Sequence, residues 1–186
     1  MQRYFVLREQ MTETDVRING EDVKHIVKVM RMSVGDNIIC SNNSSRTVRC
    51  RITTIAEDEV TASITEELYP ETELPIKITI AQALPKGDKL DLIVQKGTEL
   101  GAYAIQPFLA SRSIVKWDQK KAKKKRERLE KIAKEAAEQS YRENIPIIAD
   151  VISVAELLKT VGNYDKIMIA YEEEAKKTSI QPLVRH

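Results

Sequence analysis

Short runs of alternating apolar and polar residues fill positions 1 to 69, each closed by turn residues, a spacing that predicts a small β-rich unit. RYFVL and DVRI read as strands, and the turn SVGD leads into a third, NIICS. SNNSSR links that run to TVRCRITTI, where Val48, Cys50 and Ile52 alternate with Arg49 and Arg51. After the acidic turn AEDE, VTASIT completes a meander, so a small barrel is expected. One helix interrupts it, NGEDVKHIVKVMRM, with Asn19 as N-cap and Val23, Ile26, Val27 and Met30 as an i, i+3, i+4, i+7 stripe. Lys24, Lys28 and Arg31 lie on its other side.

YPETELP, with Pro70 and Pro75 around Glu71 and Glu73, marks a boundary between unlike units, placing one at residues 1–70 and another at 71–186. Beyond it, strand and helix patterns alternate. IKITIA reads as a strand, Asp88 to Leu100 as a helix and AYAIQPF as a strand. Asp118 is the expected N-cap of a long helix ending near Arg142, with Leu129, Ile132, Ala133, Ala136 and Ala137 buried. The strand IPIIADVI, a short helix on VAELLKTV and the strand YDKIMIAY follow. Successive βαβ units imply a parallel sheet covered by helices, and the fold class is therefore α+β with two domains.

Composition narrows the setting. At 186 residues with 42% apolar content, the chain can bury one ordinary core or two small ones. Apolar runs such as IMIA and IPIIA are too short to span a bilayer, and MQRYFVLREQ lacks a signal peptide's apolar core, so no membrane association is expected. Cys40 and Cys50 imply no disulfide framework, although they could face each other across a hairpin; two free thiols in a reducing cytoplasm is the reading. The net charge of +2 is unevenly spread: residues 112 to 142 carry 12 Lys and Arg against 5 Asp and Glu, and the rest carries 18 against 23. Such a block is either a polyanion-binding footprint or a solvated helix face.

Candidate chemistry begins with ALPKGDKLDLIVQKGTELG, where a strand ends and a helix starts, the place at which open α/β sheets hold ligands. Lys86, Gly87 and the first helical N–H groups could hold an anion, but the spacing fits neither G-x-G-x-x-G nor a Walker loop. Gly97 shares a face with Leu90, Ile93 and Val94, which implies close packing on the sheet, and Gly101 stops the helix. Lys96 and Glu99 are spaced as an ion pair, and Gln139 and Arg142 sit together at the end of the basic helix. His25, among Lys24, Lys28 and Arg31, is either a phosphate contact or an ordinary helix residue. No Cys/His metal spacing and no Ser/His/Asp arrangement stands out. From the residues alone, this is a two-domain RNA-binding protein.

Several segments, in order, resemble one family. RYFV, HIVKVMRMSVGD, ALPKGDKLDLIVQKGTELG, IQPFLASRS and RLEKIAKEAAEQSYRENIP are similar to the motifs of the 16S ribosomal RNA uridine N3-methyltransferases. The resemblance implies a PUA-like RNA-binding β-barrel followed by a SPOUT domain with a trefoil knot, in a homodimer that uses S-adenosylmethionine on small-subunit rRNA. It also implies a cofactor-binding knot built from a Gly-Pro-Glu-Gly-Gly segment and a Leu-Gly-x-Arg-Ile-Leu-Arg-x-Glu segment. Neither occurs here, so a chain incomplete at its C-terminus is expected, with no cofactor residue carried over and with dimer and activity both reduced.

By the same resemblance, Arg3, His25 and Arg31 match barrel motif positions, and Lys86, Lys96, Glu99, Arg112, Gln139 and Arg142 match those of the catalytic domain. Uridine N3 becomes nucleophilic when its proton leaves and charge spreads onto O2 and O4. Lys86, Lys96 or Arg142 would stabilise that anion, with Glu99 orienting one of them. Arg3, Lys24, His25, Lys28, Arg31, Arg112, Lys123, Lys124, Lys125 and Gln139 would contact RNA, mainly its phosphates. A rival reading is a non-catalytic RNA-binding or ribosome-assembly protein; a third is a small-molecule enzyme holding a phosphate at Lys86-Gly87.

Overall fold

The structure, a computed structural model, describes residues 1–44, 46–110 and 119–170. Five strands form the first sheet: β1 (Gln2–Phe5), β2 (Asp15–Asn19), β3 (Asn37–Ser41), β4 (Thr47–Ile55) and β5 (Glu59–Leu68), in the order β1-β3-β4-β5-β2. β1 runs parallel to β3, and the other pairs are antiparallel. The period-two pattern of β4 decides its faces: Val48, Cys50 and Ile52 are buried with Val16, Ile18, Ile38 and Val60, and Arg51 turns outward. Each such aliphatic side chain contributes about 1.5 to 3 kcal/mol by burial. Cys40 and Cys50 are free and buried; their registers are Cys40 with Val48 and Cys50 with Ile38, so they meet diagonally. The contact with Cys50, then burial, pushes the Cys40 thiol well up.

The first helix departs from its pattern. Asn19 ends β2 and Gly20, at φ +72°, takes the cap position, starting α1 (Glu21–Lys24). The next turn, His25–Val29, is a π-turn. Its wider winding keeps Val23 and Ile26 in the core but rotates the other half of the stripe outward, leaving Val27 37% and Met30 43% exposed. Arg31 leaves the turn at φ +52°.

The second sheet is parallel, with β6 (Thr79–Ala83) beside β7 (Ala104–Leu109). The expected single strand over IPIIADVI is two short ones, β8 (Ile147–Ile148) and β9 (Ile152–Ser153), which pair end to end along β7. Asp150 fills the break: its carbonyl accepts from Gln106 Nε2 at 2.7 Å and its carboxylate pairs with Arg126 at 2.7 Å. α2 (Lys89–Glu99) and α3 (Gln119–Gln139) cover this sheet, and α4 (Val154–Lys159) is capped by Ser153 and Glu156. Leu129, Ala133, Ala136 and Ala137 are buried as α3's apolar stripe requires, and Ile132 packs partly buried. The described part of the last expected strand, residues 164–170, forms no strand and joins no sheet among the described residues, and Met168 and Ile169 are exposed. An apolar run becomes a strand only where a neighbouring edge receives it. The cap expected at Asp118 lies outside the described residues.

Gly97 is where α2 touches the sheet. A Cβ there would lie 3.0 Å from Ile80 Cδ1 and 3.5 Å from Ile105 Cδ1. Gly97→Leu is therefore expected to lower stability by about 3 kcal/mol through overpacking, read as a lower urea midpoint. An unchanged midpoint would show that α2 stands off the sheet. No helix among the described residues is long and apolar enough to cross a membrane.

Candidate functional site

Arg142 joins the two units from inside. It is buried at 4% exposure, and its guanidinium donates to Thr98 O at 3.2 Å, to Ala102 O at 2.7 Å and to the Glu73 carboxylate in a fork. Glu73 Oε1 also accepts from the backbone N–H groups of Glu143 at 2.9 Å and Asn144 at 3.2 Å. Burial raises the Glu73 carboxyl, but Arg142 and those N–H groups outweigh it and hold it below its ordinary range. The linker between the prolines is thus pinned to the second unit. From the first unit, Arg3 is 3% exposed and donates to Arg142 O, and its guanidinium lies 5.6 Å from the Tyr141 ring centre. Burial lowers Arg3, more than the surrounding carboxylates raise it.

The seam continues along α3. Phe5 N donates to Glu138 Oε1 at 3.2 Å, Lys134 bridges Asp22 at 2.6 Å and Glu138 at 3.2 Å, and Lys131 pairs with Glu21 at 2.6 Å. Burial pushes the Glu138 carboxyl up, against the pull of Lys134. Ser41 Oγ donates to Glu143 O at 3.1 Å, and Asn43 Oδ1 accepts from Ile145 N at 2.7 Å.

Beside this seam lies a cleft of about 670 Å³. It gathers Lys24, His25, Lys28 and Gln139 from the expected RNA-binding set on walls from both units. His25 Nδ1 is in hydrogen-bond contact with the Tyr4 hydroxyl at 3.1 Å, which fixes its ring. Lys24 and Lys28 are exposed and form no ion pair among the described residues, and the same holds of Arg31 beyond them. Of the basic run, Arg126, Arg128, Lys131 and Lys134 are taken by carboxylates. Lys123, Lys124 and Lys125 are unpaired among the described residues, and Lys125 lines a cavity of about 210 Å³ with Pro85 and Gly87.

The four expected catalytic residues are not brought together. Leu84 N bonds Phe108 O at 2.9 Å, which puts Lys86 at the carboxyl edge of the sheet, exposed. Tyr103 N bonds Ile78 O at 2.8 Å, so α2 returns the chain to the amino edge, and there lie Arg142 and the pair Lys96–Glu99, 2.7 Å apart. Lys86 precedes α2, an 11-residue helix about 16 Å long, whereas Lys96 and Glu99 lie in its last turn and Arg142 packs against its C-terminal end. Arg3 and Arg142 both lie inside the seam, at 3% and 4% exposure. Arg112 lies outside the described residues. The seam partners Glu73, Asp22, Glu138 and Tyr141 escape a sequence reading, because their partners lie up to 140 residues away; only Glu73, set between two prolines, carries a local signal.

An RNA methyltransferase domain model matches residues 72–185, and an RNA methyltransferase PUA domain model matches residues 18–65. Ribosomal RNA small subunit methyltransferase E of Bacillus subtilis (strain 168) is 51% identical over 183 residues, covering 97% of this chain and 72% of that protein. The chain belongs to the RNA methyltransferase family. The like-named protein of Synechocystis is 31% identical over 167 residues, 90% of this family member and 53% of that protein. Among solved structures, one described only as a hypothetical protein superposes with a TM-score of 0.85 at 52% identity, over 92% of this chain and 71% of that one. A ribosomal RNA small subunit methyltransferase E from Neisseria gonorrhoeae, bound to S-adenosyl methionine, gives 0.78 at 30% identity, over 90% and 66%. The two sheets of this methyltransferase-family chain are accordingly the PUA-like and SPOUT-type parallel sheets.

The cavity at the carboxyl edge of the parallel sheet does not fit such a cofactor. The cavity at the carboxyl edge, about 210 Å³, falls below the roughly 300 to 1,000 Å³ of small-molecule sites, and Asp88 and Asp91 line it. Among the described residues, no group of His, Cys, Asp and Glu could hold a metal ion.

Proposed function

We propose that this chain is a cytoplasmic, homodimeric S-adenosylmethionine-dependent methyltransferase that modifies N3 of a uridine in 16S rRNA of the small ribosomal subunit. The observation that carries the RNA side is the cleft between the units, lined by Lys24 and Lys28, which form no ion pair among the described residues, with Arg31 following them in the chain. α3 is about 31 Å long, with Lys123, Lys124 and Lys125 near its start and Gln139 at its end. A single strand laid along it meets Lys123, Lys124 and Lys125 at one end and Lys24 and Lys28, beside Gln139, at the other, and Lys131 and Lys134 between them tie the two units together. The methyl donor is the ligand that the Neisseria structure holds, and the residues that bind it are assigned to segments other than those described. The unit boundary is read at Tyr69–Pro75, where Glu73 is pinned.

Of the candidate cations, Lys86 is the one whose position suits the chemistry. It stands unpaired at the carboxyl edge, where parallel sheets place ligands, whereas Arg142 and Lys96 are already neutralised by Glu73 and Glu99. In this reading, Lys86 stabilises the charge on O2 or O4 as the N3 proton leaves, and Arg142 positions α2. Lys86→Met is expected to lower kcat about a hundred-fold at saturating RNA with affinity changed less than about three-fold. The assay follows transfer of a labelled methyl group from S-adenosylmethionine to small-subunit RNA and locates the product nucleoside by mass spectrometry. An unchanged kcat would remove Lys86 from the mechanism.

The second reading is an RNA-binding or assembly protein without methyl transfer, which the cations of the cleft would serve equally. Tight RNA binding without saturable S-adenosylmethionine binding by calorimetry would select it.

A further inference from the structure

A second cavity, of about 440 Å³, lies next to the cleft, with Gln2 lining both. We propose that this shelf holds a single unstacked nucleobase of the substrate RNA, stacked on Tyr141 between the thioethers of Met30 and Met32, with Gln2 and Asn37 reading its edge and Arg31 on its phosphate. The inference rests on the RNA reading given above and goes beyond it by naming a base-specific subsite away from the sheet's carboxyl edge.

Four observations converge on it. First, Tyr141 is built as a platform. Arg3 covers its ring from within at 5.6 Å, its hydroxyl donates to Met1 O, and the ring is still 42% exposed. Second, three non-glycine residues among those described have a left-handed backbone, and two of them, Tyr141 at φ +58° and Arg31 at φ +52°, flank this shelf. A bulky side chain in that region is strained, and strain of this kind persists where the side chain's placement is used.

Third, the chemistry of the lining suits a base. Thioethers are polarisable and adapt to aromatic faces, and the amides of Gln2 and Asn37, which have no hydrogen-bond partner among the described residues, offer both donors and acceptors. Fourth, the charge is arranged for a nucleotide rather than a free phosphate. Asp36 lines the shelf itself, and the exposed Arg31 sits in the chain between two of its lining residues, Met30 and Met32. Sequence-specific recognition of RNA works mostly this way, on splayed bases stacked and read at their edges.

The test uses the full chain and a single-stranded oligoribonucleotide from the 3′ region of small-subunit rRNA, in which one abasic nucleotide is moved along the sequence. The wild-type chain should lose about ten-fold in affinity at one position, as base–aromatic stacking predicts. Tyr141→Gly keeps a backbone that favours glycine, and it should bind the intact RNA as weakly as the wild-type chain binds that abasic RNA. It should then lose less than about two-fold on introducing the abasic nucleotide. Asn37→Ala, at an exposed position, should keep the stacking penalty but lose preference among the four bases there. Equal abasic penalties in wild type and Tyr141→Gly would overturn the subsite and leave the RNA reading standing. No binding of any oligoribonucleotide by the wild-type chain would overturn both.

Discussion

Arg142→Ala is expected to destabilise the chain by about 3 to 5 kcal/mol, the cost of breaking a buried ion pair by removing one partner. It strands the Glu73 carboxylate and two carbonyls, Thr98 O and Ala102 O, that the guanidinium now satisfies. For a chain of this size the thermal midpoint should fall by roughly 6 to 20 °C. Arg142→Lys should recover only part of this, because an ammonium cannot reproduce the fork that spans Glu73 and the α2 carbonyls. A variant with wild-type stability but no activity would instead make Arg142 catalytic. The same pair sets an acid limit. Glu73 has its folded pKa depressed, so its contribution is fully present above its unfolded value, about 4.3, and is lost as pH falls through the lower folded value. In Arg142→Ala, acid unfolding monitored by circular dichroism should lose this component.

Replacing Lys24, Lys28 and Arg31 together with Ala should flatten the salt dependence of RNA binding by about 2 in the slope of log K against log salt. That figure is three phosphates at roughly 0.7 each for a single strand. Between 50 and 200 mM salt, the wild-type chain should lose roughly twenty-fold more affinity than the variant. All three are exposed and form no ion pair among the described residues, so stability should be unchanged, which separates this result from that at Arg142. A slope identical to wild type would move the RNA off this rim.

Much of the fold is legible because it depends on period. The alternation in TVRCRITTI fixes the faces of β4, and the stripe from Leu129 to Ala137 fixes the face of α3. The first helix misleads because an apolar stripe cannot show where one turn will widen, and the π-turn at His25–Val29 takes Val27 and Met30 out of the core. The strand over IPIIADVI is cut in two by Asp150, whose reason to be there is Arg126 on another element. The site was half legible for a related cause. Lys24, His25 and Lys28 are local neighbours on one helix and arrive in one cleft. Arg3 and Arg142 carry motif positions but spend their charge inside the seam, and nothing near either residue in the chain announces the partner.

That seam also sets a timetable for synthesis. All five strands of the first sheet, and every register between them, are encoded before Tyr69, so the PUA-like unit can close as soon as it leaves the ribosome. Arg3 must then wait for the carbonyl of Arg142, 139 residues later, an interval of roughly 7 to 30 s at ordinary elongation rates. For that time a buried guanidinium of the finished protein is a solvated cation on a nascent chain, beside the very rRNA from which the ribosome is built.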